Sequence, residues 1–196
     1  MGLRLLLPPV VDPVTVAEQK AFMRVDIPDE DAQIAAFITA ARRAAESLTG
    51  RAFVTQQWKA TFDSIPLGKR IELPVAPVVS VESVSLADDN GVLHALDVAA
   101  YQTDIISEPA RITLHTYSRP PHWRHRINVA EAVFTCGYGA DGTSVPEPLK
   151  LAVRFMAAHF HENRAAVSDA ANIRFEELPM GVRYLLAPYR LWGRHL

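Results

Sequence analysis

The hydrophobic period of this chain changes twice, and that double change restricts its fold more than any other feature. Over residues 29–50 the apolar positions Ile34, Ile38, Ala41, Ala45 and Leu48 recur at spacings of 4, 3, 4 and 3. That is a narrow stripe along one side of an α-helix, built to meet another helix. From Val54 the period drops to two: Val54, Gln56, Trp58, Ala60 and Phe62 alternate with Thr55, Gln57, Lys59, Thr61 and Asp63, as in a strand with one mostly apolar face. Past residue 146 the helical period returns. Leu149, Val153, Met156 and Phe160 form one stripe, and Leu151, Phe155 and Ala158 form a second. The order predicts an α+β fold: a helical core drawn from both ends of the chain, with a β-rich region inserted between them. The expected parts are 1–50 (N-terminal helices), 51–136 (β-rich insertion), 137–177 (a core helix and a loop) and 178–196 (a C-terminal segment), together one structural unit.

Local signals refine this division. Thr15-Val16-Ala17-Glu18 is a capping box, in which Thr15 bonds the amide of Glu18 and Glu18 reaches back. It should open a short helix that runs to about Arg24, before Asp26-Ile27-Pro28 breaks it. The acids Asp29, Glu30 and Asp31 suit the positive end of the next helix, and Gly50 is a natural left-handed stop for it. Arg42, Arg43 and Glu46 lie outside the stripe and are expected on a solvated face. Further on, 78–86 reads as a strand that Asp89-Asn90-Gly91 turns back onto 93–96. Residues 112–117 and 127–136 read as another strand pair, joined by a loop containing Pro120-Pro121. Pro146-Glu147-Pro148 opens the helix that runs to about residue 163. Being apolar on two sides, that helix needs its own core and something further to cover it. Residues 164–172 are polar and alanine-rich, as in a mobile loop, and Pro179 starts a last short helix that Pro188 limits.

Composition narrows the chemistry. With 196 residues, 49% hydrophobic, the chain is long enough to bury a core of its own. A net charge of −2, from 20 basic and 22 acidic residues, argues against a surface devoted to gripping nucleic acid. The single cysteine, Cys136, fits a reducing compartment and reads as a buried, inert thiol. No signal peptide and no span of about 20 apolar residues is evident, so the expectation is a soluble protein made in the cytoplasm. Residues 137–142, from Gly137 to Gly142, match a dinucleotide-binding glycine pattern. However, Thr143-Ser144-Val145-Pro146 separates them from the helix that would have to meet a pyrophosphate. His159 and His161 are two residues apart, about 200° around a helix, and cannot share a metal. The stretch 111–126 holds Arg111, Arg119, Arg124 and Arg126, with Trp123 among them and no acid. It suits phosphate or an acidic protein surface, and the net charge favours the protein. No catalytic constellation, cofactor site or metal site is expected. Two alternatives stay open: a small-ligand or nucleotide-binding enzyme using the turn 137–142, and a nucleic-acid-binding module using 111–126.

A set of ordered motifs carries a resemblance. They begin with Pro13-Val14-Thr15-Val16-Ala17-Glu18, Arg24-Val25-Asp26, Asp29-Glu30-Asp31-Ala32, Ala40-Ala41-Arg42 and Leu48-Thr49-Gly50-Arg51. Leu73-Pro74, Pro77-Val78 and Val81-Glu82-Ser83-Val84 follow in the middle of the chain. Phe134-Thr135-Cys136-Gly137-Tyr138-Gly139, Val145-Pro146-Glu147-Pro148-Leu149-Lys150, the stretch 159–164, Leu178-Pro179-Met180-Gly181-Val182 and Leu186-Ala187-Pro188-Tyr189-Arg190 complete it. In this order they resemble the head–tail connector (adaptor, or head-completion) proteins of long-tailed phages, prophages and gene transfer agents. The resemblance is weakest over residues 87–126, and Cys136 stands where a small or apolar residue is expected.

The resemblance implies a structural subunit in the neck of a virion or phage-like particle, assembled in the host bacterial cytoplasm. Copies form a homo-oligomeric ring, a dodecamer to match the portal protein. The next connector, stopper or tail protein binds the far side, and DNA passes through the lumen without sequence-specific contact. On that footing Ile34, Ile38, Phe155 and Phe160 are expected at the subunit interface. Arg111, Arg119, Trp123, Arg124 and Arg126 are expected to form a basic protein-contact patch directed away from the bore. The segment 178–196 is expected to dock on the portal through Val182, Arg183, Leu185, Leu186, Tyr189, Arg190, Trp192 and Arg194.

Overall fold

The computed structural model describes residues 1–65, 70–88, 90–115, 127–163 and 180–191. The chain folds as two compact units, and the chain passes between them more than once. One unit comprises Met1–Pro9 and Thr55–Tyr138 together with Leu191, and the other comprises Val10–Val54 and Gly139–Arg190.

The β-unit holds eight strands: β1 (Gly2–Leu7), β2 (Gln56–Phe62), β3 (Arg70–Glu72), β4 (Val78–Ala87), β5 (Leu93–Ala95), β6 (Tyr101–Asp104), β7 (Arg111–Leu114) and β8 (Ala130–Cys136). They make a five-stranded sheet ordered β1-β2-β8-β4-β5 and a three-stranded sheet ordered β3-β7-β6, each antiparallel throughout. In β8, Ala130, Ala132, Phe134 and Cys136 are buried and alternate with half-buried neighbours, the period-two pattern of a strand with one face in the core. β4 slips register against β8 twice, between Val78 and Ser80 and between Val81 and Ser83. Each slip re-aims the side chains that follow, so the ten-residue strand shows no clean alternation. The smaller sheet buries Ile71, Ile112, Leu114 and Tyr101, with Ile71 and Thr103 flanking Ile112 on either side.

Three features of this unit differ from the sequence reading. β8 does not pair with β7: it lies between β2 and β4, while β7 pairs with β3 and β6. Adjacency in sequence favours a hairpin, but a buried alternating strand gains more from two flanking partners than from one. The N-terminus, expected to lie in a helical part, is a strand whose Leu3 and Leu5 face inward and pair with Ala60 and Trp58. Strands β3 and β6 are only three and four residues long, too short for a periodic signal. The hairpin of β4 and β5 does form, with Leu86 opposite His94.

The α-unit contains α1 (Val16–Met23), α2 (Asp31–Thr49), α3 (Glu147–Glu162) and α4 (Met180–Leu186). Both halves of the capping box are in place at Thr15: its hydroxyl accepts from Glu18 N at 3.2 Å, and Glu18 Oε2 accepts from Thr15 N at 2.8 Å. The Thr15 amide above all, with its hydroxyl and Arg154 adding, holds the Glu18 carboxyl below its ordinary range. Gly50 ends α2 at φ 72°, where its N–H donates to Glu46 O at 2.8 Å; a β-carbon there would be strained. α2 packs on α3, α1 lies against both, and α4 packs on α3 and more lightly on α2. Ile34, Ile38, Ala41 and Ala45 meet Leu149, Ala152, Val153, Met156 and Ala157 in the core, joined by Val182 and Leu186 of α4.

Arg42 corrects a second expectation. Its side chain is only 6% exposed, not solvated. Nε donates to Asp12 Oδ1 at 2.5 Å and Nη1 to Glu46 Oε2 at 2.8 Å. Thr39 Oγ1 donates to Asp12 Oδ2, and Glu46 Oε1 accepts the backbone N–H of Phe53 at 2.8 Å. One cation and two carboxylates thus tie the segments on either side of α2 to that helix. An arginine two carbons from a helix stripe reads as exposed in sequence because its carboxylate partners lie 30 residues back and four ahead.

Candidate interaction surfaces

No group of three or more metal-ligating side chains gathers among the described residues, and no described helix is long and apolar enough to cross a membrane. What the chain presents is a set of exposed apolar and charged surfaces on each unit.

The expected interface residues separate into two kinds. Ile34 and Ile38 are at most 1% exposed within their own unit and offer a neighbouring copy no surface. The stripe that suggested an intersubunit seam is the core itself, because α3 supplies the facing helix in the same chain. Phe155, by contrast, is 41% exposed. It meets Phe22 of α1 edge to face, with ring centroids 5.4 Å apart, and the two rings form an exposed aromatic ledge. Phe160 is half-buried beside Phe37, whose ring also meets His161 edge-on. His161 in turn lies 2.9 Å from Glu30, which anchors the end of α3 to the start of α2.

The C-terminal docking residues divide the same way. Val182 and Leu186 are buried at 0% and 3% exposure and belong to the core of the α-unit, so they are not a free docking stripe. A short amphipathic helix has one apolar side, and here that side is spent on its own chain. Leu185 and Tyr189 are half-buried, while Arg183 and Arg190 are exposed and Tyr184, which the sequence reading passed over, is 73% exposed. Arg183 and Arg190 flank a groove of about 300 Å³ whose remaining walls are Leu48, Leu186 and Ala187. Trp192 and Arg194 lie outside the described residues.

In the basic stretch 111–126, only residues 111–115 are described; Arg119, Trp123, Arg124 and Arg126 lie outside the described residues. Arg111 is half-buried and engaged with an acid. Its Nε and Nη2 both donate to Asp104 Oδ2, and Nη2 donates to Ser107 Oγ at 2.8 Å. Asp104 also accepts the backbone N–H groups of Ile106 and Ser107 at 3.2 and 3.0 Å and the Ser107 hydroxyl at 2.7 Å. These bonds, the Ser107 amide first, then the Ser107 hydroxyl and Arg111, hold the Asp104 carboxyl far below its ordinary range. They fix the tip between β6 and β7, where Ile106 stands 93% exposed and Ile105 41%.

The glycine turn has no room for a phosphate where the motif would need it. A β-carbon on Gly142 would meet the Pro13 backbone, so this glycine serves close chain packing. The Asp141 carboxylate accepts from the hydroxyl and amide of Thr143, which hold it ionised, and it would repel a bound anion. α3 begins only at Glu147, behind a 3-10 turn over Gly142–Ser144.

This arrangement is similar to solved structures from gene transfer agent (GTA) particles. A chain in the virion of a native GTA particle matches with a TM-score of 0.77 at 27% identity, over 100% of this chain and 98% of that one. A chain in the neck of an empty GTA particle, computed with C6 symmetry, matches at 0.78 and 27%, over 100% and 98%. One in the neck of a native GTA particle, computed with C12 symmetry, matches at 0.71 and 25%, again over 100% and 98%. No curated protein matches. A two-unit α+β chain with exposed apolar ledges, alike from end to end to chains of a particle neck, is a structural head–tail connector. The chain belongs to the head completion protein family, whose pattern matches residues 13–192.

Proposed function

We propose that this chain is an adaptor subunit of a phage-like particle, twelve copies of which form a ring that docks on the portal and joins the DNA-filled head to the tail. The next connector or a tail protein binds the other side of the ring, DNA passes through the lumen without base-specific contact, and the role is structural, with no catalytic step. The observation that carries this reading is the full-length likeness to a chain in a C12 particle neck, within a family of head completion proteins. The exposed Phe22–Phe155 ledge supports a contact between copies on the α-unit, since paired aromatics left in water are what an interface covers. Tyr184 is the best-placed side chain of the C-terminal segment for the portal, because Val182 and Leu186 are already spent.

Phe155→Glu tests the ring. The residue is exposed, so the substitution should cost the subunit only about 0.5–1.5 kcal/mol, the worth of the lost aromatic pair. Ring formation, read by negative-stain microscopy and by incorporation into particles lacking the native chain, should fail. A variant that enters particles as the wild type does removes the ledge from the interface.

A further inference from the structure

We infer that the β6–β7 hairpin tip of one copy seats in the α4 groove of the next, a head-to-tail contact between two different surfaces of the same chain. The inference rests on the ring reading, and it names the contact that closes the ring.

The tip is built to be rigid and apolar at once. Asp104 collects the amides of Ile106 and Ser107, the Ser107 hydroxyl and the Arg111 guanidinium, so the loop backbone is held before any partner arrives. On that fixed loop Ile106 stands 93% exposed. A preorganised loop loses little conformational entropy on binding, so a contact made by one aliphatic side chain keeps more of its burial energy. Exposed isoleucine on a flexible loop is ordinary, whereas isoleucine held out by hydrogen bonds to a single carboxylate is an anchor without its pocket.

The groove supplies a pocket of matching kind. Leu48, Leu186 and Ala187 form its apolar walls and Arg183 and Arg190 its rim, around about 300 Å³. That volume lies at the small end of binding pockets, suited to one or two aliphatic side chains and not to a helix. The charges are complementary. Residues 104–111 carry Asp104, Glu108 and Arg111, a sum of −1, while residues 180–191 carry Arg183 and Arg190 and no acid, a sum of +2. With its one arginine turned onto Asp104, the tip is unsuited to DNA phosphates. Because donor and acceptor surfaces differ, each copy can bind one neighbour through each, and such a heterologous contact closes into a ring when its rotation divides a full turn.

Disulfide trapping in mixed copies tests this. One chain carries Ile106→Cys and a second Ala187→Cys, both with Cys136→Ala. The two are assembled together, oxidised and separated under non-reducing conditions. Covalent dimers are expected only in the mixture, and a chain carrying both cysteines should give a ladder of higher oligomers. In parallel, Ile106→Asp should raise the concentration for half-maximal assembly at least tenfold with an unchanged far-UV spectrum. Arg190→Glu should do the same, and Glu108→Arg combined with Arg190→Glu should restore part of the loss. Rings that form without any cross-link, and that tolerate Ile106→Asp, overturn this contact and leave the ring reading standing. A wild-type chain that forms no ring in solution or on particles overturns both.

Discussion

Two carboxylates show how single residues hold this chain together. Asp12 and Glu46 share the buried Arg42, whose side chain is 6% exposed. Removing one partner of such a group leaves a charge that is neither paired nor well solvated, which typically costs about 3–5 kcal/mol. Arg42→Ala should therefore shift the urea midpoint strongly downward, whereas Arg43→Ala, one residue on and exposed, should leave it nearly unchanged. Equal effects would mean that Arg42 is no more buried than its neighbour. Asp104 acts at the surface, and its effect depends on pH. Its carboxyl titrates well below the ordinary 3.8 of the unfolded chain, so the unfolded state takes up the proton first. The stabilisation is fully present above 3.8 and is lost as pH falls through the folded value. Asp104→Asn should lower the melting temperature at neutral pH, and the gap from wild type should narrow steadily on acidification below pH 4. A gap that stays constant would remove the carboxylate's charge from the explanation.

The short helix α4 settles a question at the scale of elements. Its Val182 and Leu186 complete the core formed by α2 and α3, so it holds the α-unit together as well as offering Tyr184 outward. Leu186→Ala should destabilise the subunit by about 2–5 kcal/mol in chemical denaturation, and truncation after Leu178 should cost more than that single change. A truncated chain with wild-type melting would return α4 to the role of a detachable docking element. The sequence announced the long elements well. The stripe through Ile34, Ile38, Ala41 and Ala45, the capping box at Thr15 and the stop at Gly50 reappear in α1 and α2, and the alternation through Phe134 reappears in β8. It did not announce which side of an apolar surface faces a neighbour. Ile34 and Phe155 look alike in sequence, and only the presence of a facing helix makes one core and the other ledge. Strand partners were hidden for a related reason: Gly2-Leu3-Arg4-Leu5 does alternate, but four residues beside a Leu-Leu-Leu run and two prolines carry too little period to be read alone.

For the whole molecule, the ring reading sets a constraint on charge. DNA has to slide through the lumen, and a bore lined by many cations would hold its phosphates. A structure of the assembled ring should therefore show mixed or acidic side chains facing the channel, with Arg119, Arg124 and Arg126 directed elsewhere; those three on the bore wall would refute the reading. The placement of β8 between β2 and β4 has a further consequence, for how the chain is made. The ribosome delivers β1, β2, β4 and β5 before β8, yet the middle of the sheet cannot close until residue 136 has emerged. Until then only the β1–β2 pair and the β4–β5 hairpin have their partners in hand, and long-range closure has to meet its loop entropy before any strand pairing repays it. A nascent chain stalled before β8 carries two open strand edges, the form most prone to pairing with other copies in the wrong way. The supply of subunits to a growing particle therefore depends on finished chains, with the last strand of the sheet acting as the checkpoint of synthesis.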